Sequence, residues 1–150
     1  MSTSGSPGVC ALCENAALLQ RSHLMPRALY RYILMSSPKG GKPLHVSDRG
    51  AAYISTQAAG HLLCTACEQR FSKHGESRTL EVCYRGHGSF QLARQLEGLI
   101  PLHTDKVQTF YDARHLGLLR EHLIYFAVSI IWRWSVGHEH WSNSTKWPNR

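Results

Sequence analysis

The sequence predicts an α+β fold, with a cysteine-stapled core of short strands and helices followed by an appended helical part. Three observations predict it. Two Cys-x-x-Cys pairs, Cys10-Ala11-Leu12-Cys13 and Cys64-Thr65-Ala66-Cys67, bracket a stretch of short β-prone runs. Gly- and Pro-containing turns such as Ser37-Pro38-Lys39-Gly40-Gly41-Lys42-Pro43 punctuate that stretch. Towards the C-terminus, Leu116, Leu119, Leu123, Phe126, Ala127, Ile130, Ile131 and Trp134 recur at steps of three and four, which is one face of a helix.

Two cysteines three apart can both face one metal, because a tight knuckle turn frees both side chains. A second pair completes a tetrahedron, with Zn–S distances of about 2.3 Å. A redox pair would sit at a helix start in a thioredoxin-like βαβ pattern. Neither pair has that setting, and two copies favour a structural zinc held by Cys10, Cys13, Cys64 and Cys67. The chain has five cysteines. An odd number fits a disulfide framework poorly and points to a reducing cytoplasm. Cys83 is left over and reads as a buried, idle thiol.

In chain order, residues 1–8 are small and polar, without the basic and apolar regions of a signal peptide, and read as a flexible tail. Residues 9–78 form the zinc-binding core. Its knuckle and short hairpin occupy residues 9–25, with a strand over Leu18–His23. Pro26 opens a helix to Met35, with Leu29 and Ile33 at helical spacing. The loop before Pro43 is no P-loop, since proline stands where Ser or Thr would bind magnesium. Leu44–Val46 and Ala51–Ser55 read as strands about a turn at 47–50, and Gly60–Leu63 leads into the second knuckle. A short helix over Cys67–His74 should end near Gly75. Residues 79–137 are the helical part. There a helix runs from a Ser89 cap to Gly98, Pro101–Lys106 connects, and a long helix covers Tyr111–Val136. Residues 138–150 form a polar tail. The apolar stripe of the long helix reads as core, with a homodimer or protein-partner face as the alternative. Its uncharged run, Leu123–Trp132, is too short to span a bilayer, so no membrane role is expected.

The chain carries 17 Lys+Arg against 10 Asp+Glu, a formal charge of +7. That balance suits a polyanion, because neutralising phosphates releases condensed counterions. Within residues 20–50, Arg21, Arg27, Arg31, Lys39, Lys42 and Arg49 stand against a single acid, Asp48. Arg21, Arg27, Arg31, Lys39 and Lys42 are therefore the expected nucleic-acid contacts.

Between the pairs, Arg21-Ser22-His23-Leu24-Met25-Pro26 sets an imidazole just before an apolar pair and a proline. A Cys-x-x-Cys, a strand ending in His with Pro nearby, and Leu-Leu-Cys-x-x-Cys-Glu entering a helix together resemble the HNH (ββα-metal) endonucleases of the zinc-bearing, treble-clef type. The wording Ser-His-x-x-Pro is most similar to a bacterial branch of that group, and the resemblance covers about residues 8–78. It implies metal-dependent hydrolysis of DNA, with His23 as general base and the four cysteines on a structural zinc. It also implies a separate Mg²⁺ or Mn²⁺, for which Glu68, His74 and His61 are the candidate ligands and Glu76 a weaker one. Glu68 and His74 join His23 as the expected catalytic set. Two departures stand out. Ser22 occupies the place where the family usually has Asp or Glu, and Glu68 the place where it usually has Asn or His. They keep open an alternative, a catalytically silent zinc module that binds nucleic acid or a protein.

Overall fold

The computed structural model describes residues 5–36, 44–47, 50–53, 57–83 and 90–144. Lys39, Lys42, the turn residues Asp48 and Arg49, and the expected cap Ser89 lie outside the described residues. The chain divides into two compact units, Met1–Arg70 with Ile130–Arg150, and Phe71–Ser129.

The first unit is built on a three-stranded antiparallel sheet. Strand β1 (Ser6–Val9) pairs with β2 (Ala16–His23), from Ser6 opposite Leu19 to Val9 opposite Ala16. Ser6, Pro7 and Gly8, expected in a tail, form a strand because the knuckle turns the chain back on itself, and Pro7 is tolerated because β1 is an edge. Gly8 has a packing reason, since a Cβ there would stand 2.7 Å from Cδ1 of Leu19. Helix α1 (Arg27–Ser36) starts where Pro26 was expected to open it, and its first turn closes with Tyr30 N–H donating to the Pro26 carbonyl at 3.2 Å. The hairpin β3 (Leu44–Ser47) and β4 (Gly50–Tyr53) follows, with Ser47 paired to Gly50; Ile54 and Ser55, expected to extend the second strand, lie outside the described residues. Strand β5 (Ala59–Cys64) then pairs with the other edge of β2, giving the order β1-β2-β5.

One irregularity shapes this sheet. Gln20 faces Leu63 and Arg21 faces His61, so Leu62 is an extra residue on β5, a β-bulge. Leu62 and Leu63 are consecutive, yet both are buried, beside Leu19, Ala59, Cys10 and Cys67. Each fully buried leucine contributes about 1.5–3 kcal/mol, so this small core needs a further staple. Helix α2 (Thr65–Phe71) grows directly out of β5, with Cys67 in its first turn.

In the second unit the chain continues from Phe71 through a π-helical turn, Ser72–Glu76, into helix α3 (Ser77–Cys83). The helix expected to end near Gly75 runs on through it. Gly75 is buried, and a Cβ there would sit 3.1 Å from the Phe126 Cα and the Tyr125 ring, so its lack of a side chain serves close packing rather than a C-cap. Phe71 meets Tyr125 edge-on at 5.9 Å. Helix α4 (Gln91–Glu97) ends at Gly98, as expected. The connection after Pro101 contains a small hairpin, β6 (His103–Thr104) with β7 (Thr109–Phe110). Asp105 closes it by accepting from the N–H groups of Val107 and Gln108.

The long helix was expected over Tyr111–Val136. A 3-10 turn, Ala113–Leu116, and Gly117 at φ +53° come first, so α5 spans Leu118–Ser144. Asp112 caps the 3-10 turn by accepting from Arg114 N–H at 2.8 Å. The stripe is only partly buried: Leu119, Leu123, Phe126 and Ile130 are half-buried, whereas Ile131 and Trp134 are 68% and 53% exposed. Two polar residues, Ser129 and Arg133, are among its most buried. Among the described residues no helix is long and apolar enough to cross a membrane.

Candidate metal centre and basic cavity

The knuckle places Cys10 after β1 and Cys13 in the turn, while Cys64 ends β5 and Cys67 opens α2. Their four Sγ atoms lie within 4.8 Å of one another, and Cys13 and Cys64 are 3.9 Å apart. Sulfurs tetrahedrally placed about 2.3 Å from one ion would be about 3.8 Å apart. The backbone is arranged to hold that shape. Cys10 N–H donates to the Asn15 carbonyl at 2.9 Å, Glu14 N–H to the Cys10 carbonyl at 2.8 Å, and Ala11 N–H to the carbonyl of the bulged Leu62 at 2.9 Å. Cys64 N–H donates to the Cys10 sulfur at 3.3 Å. Glu14 takes up a left-handed conformation, φ 59°, to complete the turn.

Burial alone would raise the Cys10 thiol, but N–H groups of Cys64, Cys13 and Leu12 outweigh it and bring its pKa down to about 6. Cys67 is pushed up to about 12, first by burial, then by sharing protons with Cys64, Cys13 and Cys10. Four sulfurs this close cannot all ionise unless a cation sits among them. The donor set therefore fits a structural metal ion such as zinc, with no position left open for chemistry.

The other expected ligands fall on separate elements: His61 on β5, Glu68 on α2, and His74 in the π-helical turn. The four cysteines are the one group of three or more metal-ligating side chains that gathers among the described residues. Both oxygens of Glu68 are engaged. Ser22 Oγ donates to Oε2 at 2.9 Å, and Arg133 Nη2 lies 3.6 Å from Oε1. Ser22 is fully buried and Arg133 is 1% exposed, so Glu68 ties β2, α2 and α5 together beneath the sheet end. In the second unit, the His74 carbonyl accepts from Nδ1 of His122 at 2.6 Å and its ring lies 5.9 Å from Tyr125. Glu76 is half-buried in the same turn.

His23 ends β2, as expected. Ser22 points into the protein, and strand alternation puts Arg21 and His23 on the opposite side. There they line a cavity of about 390 Å³ with Arg27, Tyr30, Arg31 and Leu34 of α1 and with Gln57. Arg27 and Arg31 are one helical turn apart, so both reach the same space. Among the described residues, Arg21, Arg27 and Arg31 have no salt-bridge partner. The Tyr30 hydroxyl is buried without a hydrogen-bond partner among the described residues, and burial raises its pKa. Leaving such a group unmet costs about 1–3 kcal/mol. Nε2 of Gln57 donates to the Met25 carbonyl, which ties this lining residue to the turn before α1.

Sequence reasoning missed Arg133, Tyr30 and Gln57. A lone charge inside the apolar run of α5 was the available signal for Arg133, because a charge in such a stretch requires a buried partner. Tyr30 stands three residues after Arg27 and one before Arg31, on the face the arginines already marked. Gln57 has no local pattern. Compared with protein-family models, curated proteins and solved structures, the chain matches none.

Proposed function

We propose that the chain is a zinc-stapled endonuclease that hydrolyses DNA phosphodiester bonds, with His23 as its general base. The observation that carries this reading is the cavity in which His23 at the end of β2 meets three arginines. The zinc, held by Cys10, Cys13, Cys64 and Cys67, fixes the start of α2 against the knuckle. In this reading β2, β5 and α2 make a ββα unit of treble-clef type, with α1 and the β3–β4 hairpin inserted between its strands.

The chemistry assigned to these residues is limited and balanced. An imidazole nitrogen of His23 takes a proton from water as the water oxygen bonds to phosphorus. The P–O3′ bond breaks, and solvent water protonates the leaving oxygen. Arg21, Arg27 and Arg31 hold the strand beside His23 through its phosphate charge. Ser22 and Arg133 engage both oxygens of Glu68, so no step is assigned to Glu68 or to the added divalent ion. A thiolate-held zinc suits a reducing compartment, which supports a cytoplasmic setting.

The test is His23→Ala. Cleavage of linear DNA with phosphorylated ends in Mg²⁺ or Mn²⁺ should fall by about 10²–10⁴-fold, with zinc content and DNA binding unchanged. A second reading is favoured by the engagement of Glu68: a catalytically silent zinc module that binds nucleic acid through the same cavity. A wild type that binds DNA but never cuts it with any divalent metal selects that reading.

A further inference from the structure

We infer that the cavity beside His23 is a subsite for the terminal phosphate of a nucleic-acid strand, held by Arg21, Arg27, Arg31 and the hydroxyl of Tyr30. The inference deepens the reading of this site and rests on nucleic acid being the partner.

Shape is the first argument. A concave space of about 390 Å³ falls in the range of small-ligand pockets and suits one nucleotide rather than a continuous duplex. Charge is the second. Three arginines without salt-bridge partners among the described residues line it. An internucleotide diester brings a single negative charge, whereas a terminal monoester brings about −1.5 to −2 and three acceptor oxygens. Planar guanidinium groups bind such an anion in pairs of charge-assisted hydrogen bonds.

The third argument is Tyr30. Its hydroxyl is buried and lacks a partner among the described residues, in a residue that lines the cavity. A neutral phenol is a donor, and a phosphate oxygen is an acceptor it would meet on turning from its buried position toward the cavity. Arg21 and His23 lie on one side of the same strand. A strand end held by Arg21 and the two α1 arginines therefore sets its first nucleotides beside the imidazole, which would direct cutting to positions near an end.

The test uses the zinc-loaded full chain without added divalent metal, and reads binding by fluorescence anisotropy. Labelled single strands carrying a 5′-phosphate, a 3′-phosphate or only hydroxyl ends are compared, with inorganic phosphate and a mononucleotide as competitors. A phosphorylated end should bind about tenfold or more tightly than the hydroxyl-ended strand. Arg27→Ala, Arg31→Ala and Tyr30→Phe should each reduce that preference with zinc content unchanged. Equal affinity for phosphate and hydroxyl ends overturns the inference, as does a preference that survives all three substitutions. Competition by inorganic phosphate as strong as by the mononucleotide overturns the assignment to a strand end. Cleavage is read separately. A protein that prefers phosphorylated ends but never cuts keeps this inference and loses the nuclease reading, and one that cuts without the preference does the reverse.

Discussion

Replacing Glu68 with alanine strips the carboxylate from a guanidinium that is 1% exposed, and the cost follows from the geometry. Arg133 Nη2 and Glu68 Oε1 are 3.6 Å apart. With an effective dielectric of about 20, unit charges at that distance attract by about 4–5 kcal/mol. Removing one partner of a buried pair costs about 3–5 kcal/mol, because the remaining charge cannot reach water. Ser22, fully buried, loses its acceptor in the same step. A domain of this size is stable by about 5–15 kcal/mol, so Glu68→Ala should lower Tm by roughly 6–20 °C. Urea unfolding of the zinc-loaded protein reads the effect. Glu68→Ala with Arg133→Met removes both charges and should recover most of the loss, since apolar replacement of a buried pair is often neutral. A Glu68→Ala protein within about 0.5 kcal/mol of wild type would refute the reasoning, as would a double variant no more stable than the single one. Either result would return Glu68 to the set of ion ligands suggested by its place after Cys67.

Metal analysis should find about one zinc per chain, and Cys64→Ser should lose both the metal and the cooperative melt, because binding at such a site is folding free energy. Tyr30→Phe should stabilise the unliganded protein by about 1 kcal/mol, since it deletes a buried, unmet hydroxyl. It should also blunt the alkaline loss of stability. The raised Tyr30 pKa means that the folded state favours the neutral phenol, so that contribution is full below about pH 10 and fades as pH rises through the raised value. Glu14→Gly should stabilise the fold by a few tenths to about 1 kcal/mol, read as a higher urea midpoint. The left-handed conformation costs an L-residue about 1–2 kcal/mol, and glycine returns part of that gain as entropy. Glu14→Val should shift the midpoint the other way.

Much of the first unit was legible because its signals are local. Cys-x-x-Cys spacing requires a knuckle, Pro26 opens α1 after the β2 run, and the four cysteines come together as the pairing of their spacings implied. The elements that were missed are set by distant partners. Ser-Pro-Gly-Val carries little strand propensity, and β1 exists only because β2 lies beside it, with Gly8 making room for Leu19. Gly75 has the local look of a helix terminator. Its neighbours Tyr125 and Phe126 make it a contact point within a continuous helical run instead.

The candidate site divides in the same physical way. His23, Arg21, Arg27 and Arg31 could be read from alternation along a strand and i,i+4 spacing along a helix, because both periods are properties of the backbone. What cannot be read that way is which acid a buried cation selects. Arg133 sits where an apolar stripe was expected to continue, and its register turns Ile131 and Trp134 outward. Its partner, Glu68, follows the second cysteine pair, the position where a ligand for an ion was sought. The two anomalies have one cause. A cation buried at α5 takes the carboxylate beside the metal centre, and Ser22, where a strand-end acid was expected, donates to that carboxylate instead of adding a second charge. An acid at position 22 would set like charges against each other inside the fold, so serine there follows from the ion pair.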